Sequence, residues 1–262
     1  MSNVTTLDQD RYETILIDKR ENGVTIASLN RPDRQNRVNA RLHTELSGLG
    51  VDLDNDRETR VLVLTGMGES FCAGGDPSGH PDGKVGFIGD MLLEASRVVD
   101  NILNARKPIV AAVNGDCLGF GATIALLSDV VVASRSAVFA DTHVLIGAGA
   151  GDGGQIIWPL LMGVNRAKYY LMTGESMNAD EAERLGLVNF VVDGGDALPR
   201  AIEIANRLAA LPIQAVMASK YPINQAIRAR SAQILPLSLA MEDASLHSKE
   251  FKEWRSRGLA EA

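Results

Sequence analysis

The chain has 262 residues, 45% of them hydrophobic, and a formal net charge of −7 at pH 7. This length and composition allow a substantial buried core, as one large domain or as a domain with a helical appendage. They exclude a chain that is disordered as a whole. The acidic balance argues against nucleic acid as a partner, since a nucleic-acid surface needs clustered positive charge. Small molecules are the expected partners.

The chain carries no sign of export or of a membrane span. Residues 1–13 are polar and lack the apolar stretch of a signal peptide, and no run of eighteen apolar residues occurs. Two cysteines, Cys72 and Cys117, are too few for a disulfide framework or a zinc site. We therefore expect a cytoplasmic protein without membrane contact and without a bound metal.

The first half of the chain alternates predicted strands and helices. Two β-branched runs, ETILIDKR and GVTIASLN, flank a hairpin signal at Glu21-Asn22-Gly23. Asn39 is suited to cap a helix over ARLHTELSGLGVDL, and VLVLTG then predicts a buried strand. The pattern repeats with a helix near GDMLLEASRVVDNILNAR, a strand at PIVAAV, a helix near GATIALL and a strand at DVVVAS. Such alternation predicts layered α/β packing with mostly parallel strands.

After about Gly174 the pattern becomes largely helical. The helical segments are MNADEAERLGL, DALPRAIEIANRLAAL, PIQAVMASKYPINQAI and LPLSLAMEDASLHSKEFKEW. They predict a C-terminal helical cap or assembly surface.

The stretch HVLIGAGAGDGG, residues 143–154, is the strongest chemical signal. It places His143 and Asp152 nine residues apart across a glycine-rich bend. A neutral histidine held by a carboxylate can accept a proton near neutral pH, because its ordinary pKa is about 6.5. We interpret the pair as a base and the residue that orients it.

Four segments resemble the crotonase, or enoyl-CoA hydratase/isomerase, superfamily. They are NRPDRQNRVN, VLVLTGMGESFCAGGD, KPIVAAVNGDCLGFGATIALLSDVVVAS and LMTGESMNADEAERLGLVNFVV, which fall in order between about Tyr12 and Val192. The resemblance implies an α/β fold, a spiral of repeated ββα units with a C-terminal helical region. It also implies a core over 1–195, a helical region over 196–262 that caps the core and makes trimer contacts, and assembly as a homotrimer or a dimer of trimers.

The resemblance also implies an oxyanion hole that holds an enolate. By position, its two backbone N–H donors are those of Gly75 and Phe120, and donors fixed before reaction stabilise developing charge by several kcal/mol. Phe120 starts a predicted helix, whose N-terminal dipole favours an anion. The alternative is that both residues merely form tight turns.

Two residues depart from the pattern of the family's hydratases, which use two glutamates to handle water. Here those positions hold Thr123 and His143. A threonine hydroxyl does not titrate near neutral pH and cannot replace either glutamate. Hydration by the two-glutamate route is therefore not expected.

The pair His143 and Asp152 resembles the arrangement in 6-oxocamphor hydrolase, a crotonase relative that cleaves cyclic β-diketones, and His43 and Glu242 fall near further functional positions of that enzyme. Each residue also has a structural alternative. Asp152 would cap the following helix, and His143 would be a buried structural histidine. His43 would be a packing or surface residue, and Glu242 a solvated helix charge.

Coenzyme A is a possible part of the substrate, and no cofactor is expected to be required. Arg31, Arg34 and Arg37 lie in the segment that borders the CoA site in relatives, together with Ala73, and guanidinium groups suit phosphate. Three arginines in a loop are also typical of a solvated edge. The loop Pro77–Pro81 departs from relatives that bind CoA. We expect the remaining substrate contacts from Val38 and Thr123.

Three functions follow from these observations. The favoured one is hydrolytic carbon–carbon cleavage of a β-diketone, free or CoA-linked, in which His143 activates water. The first alternative is an enoyl-CoA hydratase/isomerase-type enzyme that acts on a CoA thioester. The second is a catalytically weak binding protein with the same fold.

Overall fold

The computed structural model describes residues 6–76 and 88–258. The loop Pro77–Pro81 lies outside these ranges. The strands within them are β1 (Ile15–Lys19), β2 (Val24–Leu29), β3 (Val61–Gly66), β4 (Ile109–Val113), β5 (Cys117–Leu118), β6 (Val130–Ser134), β7 (Val138–Ala140), β8 (Met177–Asn178) and β9 (Phe190–Val192). The helices are α1 (Ala40–Asn55), α2 (Ile88–Asn104), α3 (Phe120–Leu127), α4 (Gly154–Met162), α5 (Val164–Thr173), α6 (Ala179–Leu185), α7 (Ala197–Ala210), α8 (Ile213–Leu246) and α9 (Lys249–Gly258).

The strands form two sheets. The larger has the order β1-β2-β3-β4-β6-β9, and the smaller has the order β5-β7-β8. In the larger sheet β1 and β2 are antiparallel and every other neighbouring pair is parallel. The layered, mostly parallel α/β arrangement expected from the sequence is confirmed.

Local signals in the sequence set the first elements. Gly23 has φ +83° in the turn between β1 and β2, a left-handed conformation that glycine adopts without a Cβ clash. Asn39 caps α1, since its side-chain oxygen accepts a hydrogen bond of 2.9 Å from the N–H of Leu42. The predicted hairpin and capped helix are both present.

Helix α7 packs against one face of the larger sheet. Ala197, Ala201, Ala205 and Ala209 recur every four residues, and all are buried against the valine-rich strands. Small side chains at this spacing let the helix lie close to the sheet. Helix α7 therefore belongs structurally with the core, and the division at residues 195 and 196 stays a prediction.

Helix α8 joins two segments that the sequence analysis treats separately. It runs for 34 residues and continues through Pro222 and Pro236. A proline inside a helix costs about 3 kcal/mol, and packing of α8 on α2 and α4 offsets that cost. The helix brings residues near its C-terminal end to the loop that follows β7. Neither α8 nor any other helix in the described ranges is long and apolar enough to cross a membrane.

Candidate active site

The loop after β3 presents the first expected oxyanion donor, Gly75. Val38 pairs with Gly75 in a parallel bridge that uses the carbonyl of Gly74, 2.8 Å from the Val38 nitrogen, and the N–H of Asp76, 3.0 Å from the Val38 oxygen. The N–H of Gly75 therefore points away from that bridge. A Cβ on Gly75 would have no neighbour within 4 Å among the residues that the structure describes.

The loop before α3 presents the second expected donor, Phe120. Gly119 has φ +52° and ψ −123°, a conformation that favours glycine, and Phe120 follows as the first residue of α3. First-turn N–H groups have no acceptor within their own helix. A Cβ on Gly119 would lie 3.7 Å from the Cα of Gly74 and 3.6 Å from Cε1 of His143. The two donor loops are therefore neighbours, and the imidazole lies beside them.

His143 lies between two aspartates. It begins a short 3₁₀ helix over His143–Ile146, and its side chain is 14% exposed. Its Nδ1 is 2.7 Å from Oδ1 of Asp141, and its Nε2 is 3.2 Å from Oδ2 of Asp152. The expected proximity of His143 and Asp152 is present. The sequence analysis missed Asp141, which the spacing Asp-x-His directly after a strand could have indicated.

The side chain of Asp152 does not cap α4. Gly153 is the N-cap residue, and no side chain of the described ranges caps the start of that helix. Instead Oδ1 of Asp152 is 3.5 Å from the hydroxyl of Thr123. Thr123 is completely buried and its hydroxyl faces the aspartate. Its contact with substrate stays a prediction.

Helix α8 places Glu242 in the same cluster. The residue is 4% exposed, so the alternative of a solvated helix charge is wrong. A Cβ on Gly151 would lie 2.7 Å from the Cβ of Glu242, and glycine there permits the close approach of α8. One side-chain nitrogen or oxygen from each of Glu242, His143 and Asp152 lies within 4.8 Å of the other two. Within the described chain, Oε2 of Glu242 has no hydrogen-bond partner.

The charges in this cluster oppose one another. Burial alone would lower the pKa of His143, but the negative charges of Asp152 and Asp141 outweigh it and raise that pKa well above 6.5. Burial, with the nearby charge of Asp152, raises the pKa of Glu242 to about 8. Near neutral pH these shifts favour the imidazolium form of His143 and the carboxylic acid form of Glu242.

One imidazole and two carboxyl groups, as in His143, Asp152 and Glu242, also occur together as metal ligands. Here Nε2 faces Oδ2 at 3.2 Å, a separation suited to an ion pair or a charge-assisted hydrogen bond. We therefore interpret the cluster as one that shares protons.

His43 forms a second histidine–carboxylate pair, but not in this cluster. Its Nδ1 is 3.0 Å from Oε2 of Glu94 on α2, and its ring stacks on that of Phe120 with the centroids 5.0 Å apart. His43 is 7% exposed and is not a surface residue. It packs beside the second donor loop, and its catalytic role stays a prediction.

The three arginines differ in their availability. A nitrogen of Arg31 lies 2.8 Å from Oδ2 of Asp76, and the guanidinium also donates to the carbonyl of Arg37. Arg31 is thus engaged internally, and the phosphate contact expected for it is not supported. Arg34 is exposed and Arg37 is half-buried. The N–H of Ala73 bonds to the carbonyl of Gln35, which ties the arginine segment to the first donor loop.

A cleft of about 560 Å³ lies between α2 and α8. Leu92 and Ser96 line one side, and Leu235 and Leu239 line the other. Leu239 precedes Glu242 by three residues and shares its face of α8. Leu239 therefore brings the lining of the cleft within about one helical turn of Glu242.

Sequence comparison identifies relatives across most of the chain. The model of the enoyl-CoA hydratase/isomerase family matches residues 19–260. A short-chain-enoyl-CoA hydratase of Clostridium acetobutylicum is 34% identical over 220 residues, which are 81% of this chain and 82% of the relative. A 1,2-epoxyphenylacetyl-CoA isomerase of Escherichia coli is 33% identical over 210 residues, 79% of this chain and 80% of the relative.

Structural comparison gives the same result. The crystal structure of an enoyl-CoA hydratase/isomerase from Mycobacterium paratuberculosis matches with a TM-score of 0.87 and 34% identity, over 94% of this chain and 99% of that one. The expected crotonase fold with a helical C-terminal region is confirmed.

Proposed function

The chain belongs to the enoyl-CoA hydratase/isomerase family, and from that premise we propose that it is a hydratase/isomerase-type enzyme that passes through the enolate of a CoA thioester with His143 as its acid–base group. The observation that carries this proposal is the position of the imidazole beside the loop of the second donor, where Cε1 of His143 lies 3.6 Å from the point that a Cβ on Gly119 would occupy. An imidazole there lies next to the carbonyl that the donors would hold.

The donors and the cluster have complementary tasks. The N–H groups of Gly75 and Phe120 stabilise negative charge on the thioester oxygen. Asp152, or His143 once it is neutral, accepts a proton from water or from carbon. Glu242 in its acid form, or the imidazolium, returns a proton to carbon. Hydration or double-bond migration then needs no glutamate at position 123.

Cationic side chains suit the nucleotide part of such a substrate. Arg34 and Arg37 lie in the segment tied to the first donor loop through Ala73, and guanidinium groups bind phosphate well. Arg31 supports that loop through its ion pair with Asp76. In this proposal CoA is part of the substrate and no further cofactor takes part.

Exchange of α-protons tests enolate formation directly. Butyryl-CoA is incubated with the protein in D₂O, and loss of the α-proton signal is followed by NMR. We expect exchange with the wild type and none above background with His143→Ala. An absence of exchange with the wild type, together with no turnover of crotonyl-CoA, would contradict the thioester proposal.

A second candidate is hydrolysis of a β-diketone, favoured by the buried carboxylate that faces Nε2 of His143 at 3.2 Å. The pair takes a proton from water, the resulting hydroxide attacks one ketone, and the carbon–carbon bond breaks. The electrons of that bond form the enolate of the other ketone, which the two N–H donors hold. The abstracted proton returns to the enolate carbon, so water is the only co-reactant.

One paired assay separates the candidates. Purified protein is given crotonyl-CoA, followed by its enoyl absorbance, and a bicyclic β-diketone, followed by release of acid. Hydration of crotonyl-CoA without acid release supports the thioester enzyme, and the opposite result supports the hydrolase. Inactivity in both, with a measured macromolecular partner, would favour the weak binding protein.

A further inference from the structure

Asp141 contacts His143 at two points. Its Oδ1 is 2.7 Å from Nδ1 of the imidazole and 3.3 Å from the backbone nitrogen of the same residue. The carboxylate is completely buried. Because both contacts come from a residue only two positions away, the orientation of the ring is fixed relative to its own backbone.

Room for this carboxylate depends on Gly154. A Cβ at that position would lie 2.4 Å from Oδ2 of Asp141. Gly154 is also the first residue of α4, where the positive end of a helix dipole stabilises an anion. Among the described residues, the carboxylate of Asp141 makes its hydrogen bonds only to His143.

Asp152 stands in a different relation to the ring. It faces Nε2, and its own second contact, with Thr123, is long at 3.5 Å. The carboxylate of Asp152 can exchange a proton with Nε2. The carboxylate of Asp141 instead fixes the orientation of the ring through its hydrogen bond with Nδ1. The two aspartates are therefore not equivalent.

We propose that Asp141 is the positioning residue of the site: it holds the Nδ1–H of His143 and thereby directs Nε2 to Asp152 and the reacting atoms. This assigns the orienting role to Asp141 and leaves Asp152 as a proton-exchanging partner. The inference rests on the proposed acid–base role of His143. The proton that Nε2 accepts in one step leaves Nε2 in the next, so the protonation of Asp141 does not change.

The charged groups that face His143 are Asp141 and Asp152 from the flanking loops and Glu242 from α8. All three carboxyl groups interact with the charge of the imidazole. When the ring is neutral, Asp141 at Nδ1 and Asp152 at Nε2 compete for its hydrogen, and the shorter contact, 2.7 Å against 3.2 Å, favours Nδ1–H. An asparagine at 141 can present an N–H to Nδ1 and so favour the wrong tautomer. The tautomer therefore distinguishes a positioning residue from a merely nearby charge.

The test is ¹⁵N NMR of the full chain with labelled histidine and no substrate. The His143 signals are assigned by their loss in His143→Gln. At a pH where the ring is neutral, we expect an Nδ1–H tautomer in the wild type, in Asp152→Asn and in the control Asp243→Asn. Asp141→Asn is expected to shift it toward Nε2–H. A neutral wild-type ring with Nε2–H would overturn the inference without any variant.

Turnover supplies the second readout. By analogy with the loss of an orienting aspartate elsewhere, Asp141→Asn should lower kcat by about 10²–10⁴-fold at neutral pH, with part of the activity recovered at higher pH. Asp141→Glu, which keeps the carboxylate, should retain more activity than the asparagine variant. An unchanged tautomer and pH profile in Asp141→Asn would contradict the inference. If the tautomers behave as expected but neither thioester exchange nor diketone cleavage occurs, the proposed function fails and the positioning role stands.

Discussion

The two halves of the candidate site are built from different parts of the chain. Backbone N–H groups of Gly75 and Phe120 make the half that would hold an enolate. Side chains make the acid–base half, in which three carboxyl groups surround the single imidazole of His143. A backbone site depends on the path of the chain and tolerates changes of side chain, whereas a side-chain site changes with each substitution. Under the proposed function, this contrast explains how a member of the family keeps the first half and replaces the second.

The sharpest test of the acid–base half is His143→Ala. Loss of a group that transfers protons should lower kcat by about 10²–10⁴-fold. His247→Ala is the matched control, because His247 is an exposed histidine near the end of α8 and should leave kcat unchanged. Activity near the wild-type level in His143→Ala would show that the side-chain half does not perform the chemistry.

The backbone half is tested at Gly119. Alanine at φ +52° and ψ −123° is strained by about 1–3 kcal/mol, and a displaced Phe120 N–H should cost about 10²–10³-fold in kcat. Thermal unfolding and kcat are measured together. Gly75→Ala is the comparison, since a Cβ there meets no atom of the described residues within 4 Å, and the free energy of unfolding of this variant should stay within about 0.5 kcal/mol of the wild-type value. Equal stability losses in the two variants would contradict this account.

The pH dependence of the variant Glu242→Gln tests the side-chain half alone. The pKa of Glu242 is raised from 4.5 to about 8. Between these values the folded protein keeps a proton that the unfolded chain has lost, so stability falls as pH rises toward about 8. The glutamine variant should lose this part of the pH dependence, measured as the free energy of unfolding from pH 5 to 9. It should also lose the alkaline limb of kcat if the acid form of Glu242 donates a proton. A pH profile of stability identical to that of the wild type would show that Glu242 titrates normally.

The smallest effect is expected at the arginine segment. Arg34→Ala should raise KM for a CoA thioester several-fold with kcat unchanged, because a surface cation supplies uniform binding. Arg31→Ala should instead lower stability, because it leaves the carboxylate of Asp76 without the guanidinium that lies 2.8 Å away. Equal KM values for the wild type and Arg34→Ala would show that Arg34 does not bind the substrate. Thermal unfolding of both variants checks the distinction.

The sequence by itself determined the local elements and the family. The hairpin at Gly23, the Asn39 cap and the alternation of strands and helices depend on neighbouring residues, which a sequence displays directly. The motifs that carry Gly75 and Phe120 fix the backbone half for the same reason, since a turn and a helix start are local events.

Only the tertiary structure decided the acid–base half. Glu242 reaches the cluster because α8 continues through two prolines and packs on α2 and α4, and Arg31 is withdrawn by an ion pair with Asp76 across 45 positions. Asp141, although close in sequence, could be told apart from Asp152 only by which ring nitrogen each one faces. Burial and three-dimensional proximity set the protonation of this cluster, and neither is a property of sequence spacing.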